Sequence, residues 1–435
     1  MFSMSTIING VVITALAAAA IGMYVLANVD DYATQFANDK LVEAFEDSGL
    51  RASIGEANFV SGVGLELRDF EIVDLYQTQN GKLCAARSVL IRFPNQIGDL
   101  VTTKIVPTAI DIDGLKLFVD QREFDDEFKR RLKSIGDRLP QSDEPAPVRI
   151  RNSAILVRST TLKKEMTFRN LSADINPVNS DEGQVIEFQL QAENDLVPQL
   201  ELRGKIDFAQ KKWNAELNRF FVSLNDEFVN ALPLPPQSGQ AYLSGLVGKA
   251  ALKGIASGNF DQKEPQFALR GRAIDVSINN NQIPGNVRNA SIDFQVSNRG
   301  FKINQLFGNF ENSKFDLKYE QIGLARRSFW TTSGSIEQFN FNERVRAIVP
   351  QKFEKACKEF SPSGLFDLQF AFDSEGRKKI STQITDMSFS FYKFPYQVDH
   401  CVGNFNWVNE TVDFDFQGFE QGQLLKLSGR VNNPG

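Results

Sequence analysis

The sequence predicts a mostly β chain: an N-terminal transmembrane helix followed by an extended, curved, repetitive antiparallel sheet with a few short amphipathic helices. Three observations carry that expectation. Apolar and polar residues alternate along much of the 435-residue chain, the period of a sheet that is wet on one face. Phe occurs 37 times against three Trp and seven Tyr, so aromatic bulk is consumed on apolar faces. An uncharged run opens the chain.

That run is IINGVVITALAAAAIGMYVLAN, Ile7 to Asn28. As a helix rising about 1.5 Å per residue it is long enough to cross a hydrocarbon core of about 30 Å. A cleaved signal peptide is the competing reading, through Ala17 to Ala20. The missing basic n-region and the apolar continuation to Val29 favour an uncleaved anchor over residues 1–29. Asp30 and Asp31 follow the span and the first basic residue is Lys40. The short N-terminus is therefore assigned to the cytoplasm and the large body to the far side.

Residues 30–140 form a first β-rich segment. Residues 31–48 read as a short helix stopped at Gly49. Leu65 and Leu67 with Ile72, then Val89-Ile91-Phe93, then Ile110-Ile112 keep the two-residue period. Phe124, Phe128, Leu132, Ile135 and Leu139 recur at helical spacing and predict an amphipathic helix near 123–139. The polar, proline-bearing stretch 141–147 reads as a linker and domain boundary.

Residues 148–435 are expected to hold roughly twenty strands, Ile186-Phe188-Leu190 and Val412-Phe414-Phe416 among them. This region repeats itself. At an offset of 111, Pro284 falls on Pro395, Val287 on Val398, Phe294 on Phe405, Phe301 on Val412 and Ile303 on Phe414. The segments NDEFVNALP (Asn225–Pro233) and NERVRAIVP (Asn342–Pro350), at an offset of 117, precede the two copies. Repeat-like units near 225–320 and 342–431 follow. The terminal strand, Gln423 to Val431, carries little edge protection, so a longer native chain or pairing with another envelope protein is expected there.

Composition narrows the function. The 54 acidic and 48 basic residues, net charge −6, are intermixed and leave no footprint for nucleic acid. One His (His400) and three Cys (Cys84, Cys357, Cys401) leave little for metal or nucleophile chemistry, and no GxSxG, P-loop, HExxH, CxxC or dinucleotide fingerprint is present. No catalytic residue, metal or cofactor is expected. His400 and Cys401 are adjacent on a strand and point to opposite faces. Cys357 and Cys401 share a candidate repeat and are a possible disulfide in an oxidising compartment, with buried free thiols as the alternative.

The layout resembles the AsmA-like proteins of bacterial envelopes. The N-terminal span, LRASIGEANFVSGVGLELRDFEIVD (Leu50 to Asp74), VRIRNSAILVRS (Val148 to Ser159) and the closing FPYQV, GNFNW, VDFDF and LLKLSGRV (Phe394 to Val431) carry the resemblance. It implies a single-pass protein of the inner membrane with a periplasmic body, a curved β-groove similar to bridge-like lipid-transfer proteins, that passively carries phospholipid and supports outer-membrane biogenesis.

A physical argument runs beside it. Many one-sided strands and few helices leave apolar faces that a second sheet, barrel closure or a lipid must cover. Apolar-face positions Leu65, Leu67, Ile186, Phe188, Leu190, Phe294, Phe405, Phe414 and Phe416 are the groove candidates, with an ordinary sandwich core as the alternative for each. Two rival functions stand: an anchored scaffold assisting assembly or secretion of envelope proteins, and an outer-membrane barrel, which needs aromatic girdles that scattered Phe does not supply.

Overall fold

The computed structural model describes residues 33–46, 48–60, 63–76, 81–93, 107–120, 145–158, 165–180, 183–231, 244–260, 265–280, 285–323, 328–346, 357–390 and 396–432. The expected anchor over 1–29, the helix near 123–139 and positions 141–144 of the linker lie outside them. Among the described residues no helix is long and apolar enough to cross a membrane. Strand accounts for 75% of the described residues, and all 22 strands among them belong to one hydrogen-bonded sheet. The chain divides into two compact units, Met1–Phe220 with Ala231–Pro233 and Ala256–Pro265, and Phe221–Asn230 with Leu234–Ile255 and Gln266–Gly435.

The first unit opens with α1 (Ala33–Phe45), followed by β1 (Leu50–Ser53), β2 (Glu56–Val60), β3 (Gly64–Asp74), β4 (Lys82–Arg92), β5 (Ala109–Asp113) and β6 (Lys116–Asp120). Then come β7 (Val148–Arg158), β8 (Met166–Ser180), β9 (Gly183–Glu193) and β10 (Gln199–Asp207). α1 ends before Gly49, whose φ of 70° supplies the left-handed turn. β1 and β2 both pair with β3, and α1 lies against them. The Asn38 amide pairs with backbone as a strand does: its Oδ1 accepts from Ile54 N–H at 2.9 Å and its Nδ2 donates to the Ile54 carbonyl at 3.1 Å. Thr34 Oγ1 accepts from Ala57 N–H at 3.0 Å. One terminal edge of the ladder is thus covered. Asn38→Ala is expected to cost about 1–2 kcal/mol, read as a lower urea midpoint with faster amide exchange at Ile54.

The sheet is mixed rather than wholly antiparallel. β7 runs parallel to both β5 (Ile110 opposite Val148) and β6 (Leu117 opposite Ile155), an arrangement that no tight hairpin can connect. Gly114, at φ 67°, breaks β5 from β6 so that two short strands serve one long one. The two compact units divide near Phe220, and β5 and β6 pair with β7 within the first of them. The core there is dense: Leu67, Val89, Ile91, Ile110, Leu115 and Ile150 are wholly inaccessible to solvent.

The later strands are β11 (Lys212–Leu224), β12 (Leu246–Asn259), β13 (Gln266–Ile278), β14 (Val287–Ser297), β15 (Gly300–Phe310) and β16 (Ser313–Ile322). They continue with β17 (Phe329–Phe341), β18 (Ser363–Asp373), β19 (Lys378–Ser390), β20 (Gln397–Val408), β21 (Thr411–Glu420) and β22 (Gln423–Asn432). Two short helices intervene, α2 (Asp226–Ala231) and α3 (Glu343–Arg346). Sixteen described strands, β7–β22, thus occupy the region where about twenty were expected, because most are longer than usual. From β13 to β22 each strand pairs antiparallel with the next.

Strand succession repeats. β11, α2 and β12 reappear as β17, α3 and β18, and β13–β16 reappear as β19–β22, each within a position or so of the offset that the sequence displays. The cross-strand pair Phe294–Ile303 has its counterpart in Phe405–Phe414. Bulges repeat as well. The β13–β14 register breaks on both sides of Val276–Ala290, the β19–β20 register on both sides of Met387–Cys401, and the β7–β8 register on both sides of Ser153–Leu171, with identical spacings. A bulge adds a residue and increases local twist, so these three hairpins bend alike.

Candidate functional site

Cross-strand register sorts the side chains of β13–β22 onto two faces. On one face Phe294 sits opposite Ile303, Ile303 opposite Tyr319, and Gln321 opposite Trp330. Farther along, Phe339 lies opposite Phe366, Phe370 opposite Ile380, Phe405 opposite Phe414 and Phe416 opposite Leu427. The other face carries charge, with Arg272–Asp293 at 3.8 Å, Lys302–Glu320 at 3.2 Å and Arg430–Asp413 in ion-pair contact. Alternation by two thus builds one oily and one wet surface.

Aromatic rings form runs across the strands of the oily face. Phe294, Phe301, Tyr319 and Trp330 follow one another at centroid distances of 6.5, 6.0 and 6.4 Å. Phe310, Phe339 and Phe366 form a second run, and Phe389, Phe416 and Phe414 a third. Rings also lie over glycines of the next strand. A Cβ at Gly271 would fall 2.3 Å from Phe294, and one at Gly429 would fall 2.8 Å from Phe414. The missing side chains let the rings settle onto the backbone, the aromatic–glycine pairing that pins register in curved sheets. Lys378, at the strand ends, places its ammonium 4.0 Å from the Trp407 ring centre, a cation–π contact at the rim of this face.

Burial separates the two units. Leu65, Ile186 and Phe188 are buried, and Leu67 is 0% exposed; protein atoms pack all four into the first core, with Leu190 partly buried against it. Phe294, Phe405, Phe414 and Phe416 are only half-buried, as are Trp330, Phe366, Phe370 and Phe372. A face sealed by a second layer hides its side chains almost completely. Small buried clusters remain, such as Ile384, Met387 and Cys401. The candidate site is therefore the aromatic face of β13–β22. Sequence reasoning missed Trp330 and the Phe366–Phe370–Phe372 row, although alternation in LFDLQFAF displays the latter.

Two hollows, of about 450 and 500 Å3, open mainly on the wet face, lined by Asp316, Lys318, Ser333, Ser335 and Gln369 in one and by Lys302, Glu320 and Thr331 in the other. Phe370 also lines the first, and Ile303, Tyr319, Phe372 and Val408 also line the second.

All three cysteines are free thiols, so the Cys357–Cys401 disulfide is not formed. Burial pushes the Cys401 and Cys357 thiols up, opposite to the change that makes a nucleophile. The exposed His400 ring lies 3.2 Å from Asp386, while Cys401 is buried on the oily face. Among the described residues no group of three or more His, Cys, Asp or Glu is placed to hold a metal ion.

Compared with protein-family models, curated proteins and solved structures, the chain matches none.

Proposed function

We propose that this chain is a membrane-anchored envelope protein whose aromatic face on β13–β22 forms a groove that binds the acyl chains of phospholipid and passes them passively between membranes, in support of outer-membrane biogenesis. One observation carries the reading. The side chains on that face are large and apolar yet only partly buried, while the first unit buries its equivalent face. A contiguous, incompletely covered apolar surface is the kind that marks a binding site.

Hydrocarbon suits it better than a polar ligand. Burial stabilises by about 0.8 kcal/mol per methylene, so a chain of roughly 16 carbons gains on the order of 10 kcal/mol where water contact is lost. Ten strands spaced about 4.8 Å apart span roughly 45 Å, more than one acyl chain needs. The uncharged run over Ile7–Asn28 supports an anchor in the inner membrane with the body in the periplasm, and the AsmA-like resemblance points the same way. No step in such carriage breaks a covalent bond.

The second reading is an anchored scaffold for envelope-protein assembly, favoured by the open edge of β22. Native mass spectrometry of the detergent-extracted full chain decides between them. Phospholipid retained at defined stoichiometry is the expected result; a lipid-free body supports the scaffold.

A further inference from the structure

The wet side of β15–β19 is hollowed, and nothing in the carriage of hydrocarbon uses it. The two hollows there, of about 450 and 500 Å3, share Lys318, Ser333, Ala371 and Lys379. These four make one cross-strand row: Lys318 stands opposite Ser333, Ser333 opposite Ala371, and Ala371 opposite Lys379. The two lysines are three strand spacings apart, about 14 Å along the sheet. A second row beside it runs Asp316, Ser335, Gln369 and Ser381.

The acids around these rows already have partners. Glu320 pairs with Lys302 at 3.2 Å, Asp373 pairs with Arg377 at 2.6 Å, and Asp316 accepts from Gln305 Nε2 at 2.9 Å. Lys318 and Lys379 are exposed and have no ion pair among the described residues. Across from Lys379 stand Ala371 and Val408, neither of which carries charge. Two ammonium groups therefore line one hollow without a counter-charge, in a chain whose net charge is −6. Between them the side chains of Ser333, Ser335 and Gln369 have no hydrogen-bond partner among the described residues. Ile303, Tyr319, Phe370 and Phe372 also line the hollows; each alternates along its strand with wet-face residues, so its side chain belongs to the oily face.

We propose that this hollow binds a water-soluble phosphorylated sugar, with Lys318 and Lys379 on the phosphate and Ser333, Ser335 and Gln369 on the sugar hydroxyls. Four-carbon stems let both ammonium groups reach one anion across the gap. A phosphate dianion matches two such charges, where a carboxylate matches one. Hydrocarbon belongs on the opposite face of the sheet, and the side chains between the lysines are Ser333 and Ala371, so a soluble phosphoester fits better than a lipid headgroup. The site is independent of what the oily face binds.

Isothermal titration calorimetry of the detergent-extracted full chain with glucose 6-phosphate tests the assignment. Saturable one-to-one binding is expected, with inorganic phosphate weaker by about 10-fold or more and glucose giving no heat. Lys318→Ala and Lys379→Ala are each expected to weaken binding by about 10-fold or more. So is Ser333→Val, which fills the hollow and keeps its charge. Lys314→Ala, on the same face of β16 but outside both hollows, is expected to leave binding unchanged, and an unchanged urea midpoint shows that each variant is folded. No saturable heat overturns the proposal, as does equal affinity for inorganic phosphate, which means an ion site only. Equal weakening by Lys314→Ala means diffuse charge and overturns it too. Binding to phosphatidylglycerol vesicles that glucose 6-phosphate does not compete away overturns it in favour of a headgroup site.

Discussion

Placing two carboxylates on the oily face, Phe405→Asp with Phe414→Asp, is expected to lower retained phospholipid by at least 30-fold while the chain stays folded. Phe405 and Phe414 stand opposite each other on β20 and β21. A ligand tail crossing this pair loses the burial of both rings, each about 2 kcal/mol, and meets two charges whose desolvation it cannot offset. In the ligand-free chain the same positions are only partly buried, so the folding cost is on the order of 1–2 kcal/mol per substitution. Lys314→Asp, on the wet face and exposed, is the matched control and is expected to leave lipid retention unchanged. Native mass spectrometry supplies the first readout and urea denaturation the second.

Leu67→Asp is expected to unfold the first unit. Leu67 is 0% exposed, pairs with Ala57 on β2 and Val89 on β4, and lies within the continuous core. A carboxylate there has no partner, and the lost packing alone costs about 2–5 kcal/mol before the charge is desolvated. Against a typical domain stability of about 5–15 kcal/mol, little remains. Circular dichroism is expected to show lost cooperativity at room temperature, where Phe414→Asp retains it. The contrast between these two substitutions, alike in chemistry, measures the difference between a core and an open face.

Both residues carry the same local signal in the sequence, which sets the limit of what sequence reading yields. Alternation at Leu65-Leu67 and at Phe414-Phe416 identifies strands and their apolar side, and β3 and β21 lie there. It does not say what covers that side. Leu67 is sealed because β3, β4 and β5, with α1 against β1, close around one volume, an outcome of long-range register; Phe414 stays open because β20–β22 have no such neighbour among the described residues. The same limit explains Phe188, equal to Phe414 by pattern and buried in the structure.

The repeat was visible in Phe294 against Phe405 and Ile303 against Phe414, and its spacing is that between equivalent cross-strand pairs. Less visible was the start of each copy. β11 and β17 share length and offset but little sequence, since KWNAELNRFFVSL and FWTTSGSIEQFNF agree at Trp213 and Trp330 and at no other position. The parallel return of β7 was illegible too, because strand direction depends on the path of the connection and leaves no mark on the strand's residues.

The central claim is that hydrocarbon occupies the aromatic face. A photo-reactive amino acid placed in turn at Phe294, Phe370, Phe405 and Phe414 in living cells tests it most directly. Lipid-mass adducts at these four positions and none at Lys314 are the predicted result; protein adducts alone, or no adduct at any of the four, would contradict it.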